Sequence, residues 1–179
     1  MKYAIVFPGQ GSQSLGMLSD LSSNFSIVKD TFSEASDALN LDLWKVVQED
    51  EVALNQTENT QPAMLAAGYA TFKVLSNEID LSPICMAGHS LGEYTALVAA
   101  NSLNYFEAVK LVRKRAELMQ SAVPSGTGTM AAIPGLDDKK VIEICAQFNI
   151  SGVVEAVNFN SPGQVVIAGE NESVNKACE

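Results

Sequence analysis

The first apolar run, Tyr3-Ala4-Ile5-Val6-Phe7, stops at Pro8 and passes into Gly9-Gln10-Gly11-Ser12-Gln13. An unbroken run of this length predicts a short buried strand, and the proline and glycines after it predict a loop. The apolar spacing then takes the helical period around residues 24–39 and again over 62–77. The second of these opens with Pro62, whose fixed φ suits a first-turn position. Ser82-Pro83 interrupts the chain, Ile84 to Ala87 predicts a second apolar strand, and an alanine-rich helix runs through Ala100. Asn104 and Glu107 are spaced as a capping pair for a helix reaching about Ala122, where Val123-Pro124 stops it.

Beyond Pro124-Ser125-Gly126-Thr127-Gly128 the texture changes. Thr129 to Ile133 predicts a strand, Asp137 to Phe148 a helix, and Val153 to Val157 and Gln164 to Ala168 two more strands. The turn Asn160-Ser161-Pro162-Gly163 separates those two, and a last helix begins near Asn171. Strand, helix, strand, strand, helix is the order of a ferredoxin-like unit short of its final strand. The expected division is therefore residues 1–124 and residues 125–179, with the chain ending inside the second part.

Between the second strand and its helix lies Gly88-His89-Ser90-Leu91-Gly92. This is the setting of a nucleophile elbow, in which a serine occupies a tight turn of positive φ. Residues two places to either side must lack bulk there, because strand and helix approach closely. The helix N-terminus then aims its amides at the serine, placing the Leu91 N–H where an oxyanion would form. Ser90 is the candidate nucleophile. His89 is the only histidine in the chain. As the serine's immediate neighbour at a sharp turn it is poorly placed as the base, which must lie within about 3 Å of the hydroxyl. A wall or scaffold role suits it better, and a conventional base must come from outside this sequence.

Winding residues 104–122 at roughly 100° per residue gathers Val109, Leu111, Val112, Ala116, Leu118 and Met119 on one arc. Lys110, Arg113, Lys114 and Glu117 fall opposite, whereas Arg115 falls inside the apolar arc. A guanidinium on an inward face keeps its proton and needs an anionic partner. Two readings stand: an internal ion pair with Asp or Glu, or a planar fork for the carboxylate of a ligand. The basic stripe Lys110, Arg113 and Lys114 is either a solvated face or a contact for an acidic partner.

Charge and composition narrow the classes. Eleven basic against twenty-one acidic residues, a formal charge of −10, argue against nucleic acid or an anionic membrane as partner. The three cysteines are widely and irregularly spaced, so neither a disulfide framework nor a metal site is readable. The apolar run at the N-terminus is too short for a signal-peptide core, which favours the cytoplasm. Gly9-Gln10-Gly11 lacks the third glycine of a dinucleotide loop, Ser14 standing in its place. Gln10 and Gln61 are neutral donors suited either to an acyl carbonyl or to backbone in a buried loop. Asn158 and Asn160 flank Phe159, so alternation puts both on one side of a strand end.

Phe7-Pro8-Gly9-Gln10-Gly11-Ser12-Gln13, Thr60-Gln61-Pro62-Ala63, Gly88 to Tyr94 and Val157 to Gln164 together resemble the malonyl-CoA:acyl carrier protein transacylases of fatty-acid synthesis. Polyketide synthase acyltransferase domains share several of these motifs. The resemblance implies an α/β fold: an α/β-hydrolase-like core with an inserted ferredoxin-like subdomain, the C-terminal part of both missing. It implies a serine that takes malonyl from coenzyme A and passes it to the phosphopantetheine thiol of acyl carrier protein. Ser90 would be the nucleophile, Gln10 with the Leu91 amide the oxyanion hole, and Arg115 the malonate-binding arginine. Gln61 and Asn160 join it as substrate-binding residues. The family's catalytic histidine would lie beyond Glu179. No bound cofactor or metal is implied, coenzyme A entering as a thioester substrate, and family members are usually monomeric. A serine thioesterase or other hydrolase with the same elbow, and a non-catalytic fragment, are the competing readings.

Overall fold

A computed structural model describes residues 2–124, 126–149 and 152–179; Ser125, part of the predicted Pro124–Gly128 break, lies outside them. The chain forms two compact units, Met1–Met119 and Gln120–Glu179, and is mixed α/β throughout.

In the first unit, β1 (Ala4–Phe7) pairs in parallel with β2 (Cys85–Gly88), Phe7 opposite Gly88. Between them run α1 (Ser19–Asn24), α2 (Ser26–Leu39), α3 (Leu43–Glu49), α4 (Glu51–Leu54) and α5 (Thr57–Glu78). After β2 come α6 (Leu91–Ala99) and α7 (Tyr105–Ser121). The core lies among the helices: Phe32, Leu43, Leu54, Leu65, Leu91, Val109 and Val112 are all closed to solvent. Phe32 meets Trp44 edge to face with centroids 4.9 Å apart. The Asn104 side chain accepts from the Glu107 N–H at 3.1 Å, so the expected cap opens α7.

Four expectations need correction. The first strand is not buried throughout: Phe7 is, but Val6 is 72% exposed, and at the start of the second apolar run Ile84 is 67% exposed. Phe7, Ala96 and Ala99 cover one side of the pair with Phe72, and a two-stranded sheet leaves the other side open. Helix α5 begins five residues before Pro62, so the proline sits in its second turn and not its first. The buried arc of α7 is narrower than the sequence suggests: Tyr105, Ala108, Val109, Val112 and Ala116 are buried, while Leu111, Leu118 and Met119 are about half exposed. Arg115 stands at the edge of that arc. Finally, α1, α3 and α4 are helices of four to seven residues that periodicity did not mark, since a period needs a window of about eleven. Two of them are made by their caps, Asp42 accepting from the Lys45 N–H and Asp50 from the Ala53 N–H, each at 2.9 Å.

The second unit has the element order β3 (Gly128–Pro134), α8 (Asp138–Phe148), β4 (Val154–Ser161), β5 (Gln164–Glu170) and α9 (Asn171–Cys178). Its sheet is antiparallel in the order β3-β5-β4. Val141, Cys145, Val154, Val165, Ile167 and Val174 close its core. The β4–β5 turn is tighter than expected. Asn160 and Ser161 belong to the strand, and only Pro162-Gly163 turn, with Gly163 at φ 74°. Register shifts after Ala156 and after Phe159 break the alternation of β4, so position parity no longer assigns Asn158 and Asn160 to one face. No helix among the described residues is long and apolar enough to cross a membrane.

Candidate active site

Ser90 lies between β2 and α6 with φ 53° and ψ −110°, a left-handed backbone that side-chain-bearing residues seldom adopt. The flanking glycines make it possible. A Cβ on Gly88 would collide with the backbone of Gly92, and one on Gly92 would collide with the Phe7 carbonyl. The elbow is thus wedged against the end of β1. Leu91 is the first residue of α6 and is buried, so its N–H is one of the first-turn donors with no carbonyl a turn behind it. The Gly92 N–H, in contrast, donates to the His89 carbonyl at 2.9 Å.

Arg115 reaches this turn from α7. Its Nη2 donates to Ser90 Oγ at 2.8 Å and its Nη1 to Gln61 Oε1 at 2.7 Å. The guanidinium also lies over the Tyr94 ring, 5.6 Å from its centroid. Among the described residues, two of its five N–H donors are engaged. The internal ion pair is overturned: among the described residues no carboxylate lies within ion-pair distance of Arg115. Carboxylates go to the neighbouring cations instead. Lys110 pairs with Glu107 at 3.0 Å and Lys114 with Glu117 at 3.6 Å, both on the solvated face. Arg113 is only 28% exposed and contacts Glu58, Asn59 and Glu117, so the stripe is solvated at its lysines but not at its arginine.

Gln61 is fully buried in the second turn of α5, not in a loop. Its carbonyl oxygen serves Arg115, and its Nε2 donates to the Met119 sulfur at 3.5 Å. It braces the arginine. Gln10 is exposed, and its Nε2 donates to Thr57 Oγ1 at 3.3 Å; it makes no hydrogen bond to Ser90. Its loop does abut the elbow, since a Cβ on Gly9 would stand 3.0 Å from the His89 carbonyl oxygen. His89 is exposed and makes no hydrogen bond with Ser90 among the described residues. Asn160 is exposed on β4 in the second unit. Ser90, Leu91, Arg115 and Gln61 therefore come together; Gln10 stands beside them, and Asn160 belongs to the other unit.

Sequence reasoning missed Tyr94, Met119, Asn59 and the inward role of Arg113. Tyr94 had a signal, standing one helical turn after Ser90 and so on the serine's side of α6. Arg113 had a subtler one, because a proline within a helix orphans a carbonyl that some donor must meet. Among the described residues no cluster of His, Cys, Asp and Glu is suited to a metal.

The serine at the head of α6 is thus touched by an arginine that meets no carboxylate among the described residues. Residues 4–179 match the family described as the acyl transferase domain, and the chain belongs to that family. It is 55% identical over 179 residues to the malonyl CoA-acyl carrier protein transacylase of Haemophilus influenzae, covering 99% of this chain and 57% of that protein. Among solved structures, the malonyl CoA-acyl carrier protein transacylase from Coxiella burnetii superposes with a TM-score of 0.95 at 49% identity, covering 99% of this chain and 56% of that one. A chain from a complex of a type II PKS acyl-carrier protein with its malonyl-transacylase gives 0.94 at 52% identity, covering 99% and 58%. The chain thus spans a little under three-fifths of the curated relatives it matches.

Proposed function

We propose that this chain belongs to a malonyl-CoA:acyl carrier protein transacylase of fatty-acid biosynthesis, working in the cytoplasm. Residues 1–124 would be the N-terminal part of an α/β-hydrolase-like core and 125–179 a ferredoxin-like subdomain. The parallel β1–β2 pair with its elbow supports the first assignment, and the β3-α8-β4-β5-α9 order the second.

In this reading Ser90 Oγ attacks the thioester carbonyl of malonyl-CoA, and the Leu91 amide stabilises the oxyanion. A Gln10 side chain swung from Thr57 is its partner donor. The C–S bond breaks, coenzyme A leaves as a thiol, and malonyl remains as an ester on Ser90. The phosphopantetheine thiol of acyl carrier protein then attacks that ester and frees the serine. The Ser90 proton needs an acceptor. Arg115 is a permanent cation and cannot serve, and His89 makes no bond to the hydroxyl; the resemblance assigns this task to a histidine beyond residue 179. Arg115 takes the malonate carboxylate on its remaining donors, held by Gln61, and the resemblance assigns Asn160 to substrate binding as well.

The observation carrying the reading is Arg115 itself, a half-buried guanidinium bonded to Ser90 and to an amide but, among the described residues, to no carboxylate. A thioesterase for plain acyl chains has no use for it. The test is intact-mass analysis of the full-length protein mixed with malonyl-CoA. A stable adduct on Ser90 that transfers to acyl carrier protein supports the transferase. Released malonate without transfer favours a hydrolase, and no adduct on a folded protein favours a non-catalytic role.

A further inference from the structure

Helix α5 carries a proline after its first turn, and the carbonyl that this proline orphans is met by an arginine from α7. Pro62 has no N–H for the Glu58 carbonyl four residues back. Arg113 Nη1 donates to that carbonyl at 3.2 Å and to Asn59 Oδ1 at 2.6 Å. Its Nη2 stands 3.5 Å from Glu58 Oε1, and its Nε donates to Glu117 Oε1 at 3.2 Å. Asn59 is buried and spends its own amide on the Ala53 carbonyl at 2.9 Å, so Arg113 supplies the donor that its oxygen needs.

The same few residues support both halves of the site. Thr57, at the start of α5, accepts from Gln10, and Gln61 accepts from Arg115. Loosening residues 57–61 would move the brace of the Arg115 fork, whose other arm is on Ser90.

We propose that Arg113 is a positioning residue of the acyl-transfer site: it fastens the first turns of α5 so that Gln61 holds Arg115 in line with Ser90. The inference rests on the reading of Arg115 as a carboxylate clamp. Neither Lys nor an apolar residue replaces it, because only a planar fork serves the Glu58 carbonyl, Asn59 and Glu117 at once.

The test uses the full-length protein and compares malonyl-CoA with acetyl-CoA. Arg113→Met, which keeps the stem and removes the donors, should raise KM for malonyl-CoA and cut the malonyl-over-acetyl preference by roughly 5- to 20-fold, with acetyl transfer little changed. Arg113→Lys should give a smaller loss. Pro62→Ala returns an N–H to the Glu58 carbonyl, so adding it to Arg113→Met should recover part of the preference. A lower melting temperature with wild-type preference would make Arg113 merely structural and overturn the proposal. If Arg113→Met does not fold, Arg113→Lys decides by the same ratio, wild-type preference overturning it. Arg115→Ala separates the two readings. Unchanged preference in that variant sinks the clamp itself, while lost preference there with none lost at Arg113 sinks only the positioning role.

Discussion

Replacing Arg115 by alanine removes two hydrogen bonds that the structure places on Ser90 and Gln61, and with them, on the proposed reading, the donors that would take malonate. A charge-assisted hydrogen bond contributes about 1.5–3 kcal/mol, so two to a carboxylate give about 3–6 kcal/mol. Arg115 is only half-buried, which points to the lower end, about 3 kcal/mol. At about 1.4 kcal/mol per decade this is a loss of roughly a hundredfold in the malonyl-to-acetyl ratio of kcat/KM. Acetyl transfer loses only the donor to Ser90 and should fall by less than about tenfold. Arg115→Lys keeps a point charge without the planar fork and should lie between. The assay is steady-state transfer to acyl carrier protein from each thioester, with circular dichroism to confirm folding. Equal losses for malonyl and acetyl would falsify the clamp, because the arginine would then act on the serine and not on the carboxylate.

Three further outcomes test the framework around the site. Gly92→Ala drives a Cβ into the Phe7 carbonyl, where backbone meets backbone and neither yields, and should cost about 3 kcal/mol or more in chemical denaturation. A stable Gly92→Ala protein with full activity would show that the elbow tolerates bulk. Tyr105 is buried and donates its hydroxyl to the Thr31 carbonyl at 3.0 Å; burial first, then the nearby Glu34 and Tyr69, push its pKa well above 10.0. A raised folded-state pKa stabilises fully below the unfolded value and is lost as pH climbs through the folded one. Tyr105→Phe should therefore lose about 1 kcal/mol at neutral pH yet decline less steeply above about pH 10 in a pH series of melting curves. Parallel curves would refute this. In the second unit, Asp137 caps α8 by accepting from the Lys139 N–H at 2.9 Å. Asp137→Ala should lower stability by about 1 kcal/mol and leave transfer kinetics alone; a changed KM would mean the cap also serves the site.

Much of this protein is decided by local physics and is legible without coordinates. The elbow is one such feature: glycines two places either side of a serine, after an apolar run and before a helix, leave the backbone few alternatives. The Asn104–Glu107 cap, the Asp137–Phe148 helix and the strand–helix–strand–strand–helix order are others, since each rests on neighbours a few residues apart. Tertiary structure decided what required distant residues. Arg115 could have faced a carboxylate or a ligand, and only packing shows that the available carboxylates pair with Lys110, Arg113 and Lys114. Gln61 and Pro62 lie side by side in sequence but meet different partners on α7, Arg115 for one and, through the orphaned Glu58 carbonyl, Arg113 for the other. His89 stands next to Ser90 in sequence and makes no bond to it, while Arg115, twenty-five residues away, does. Periodicity reports which face a residue is on; what that face meets depends on chain closure, and hydrogen bonds across such distances leave no trace in local pattern.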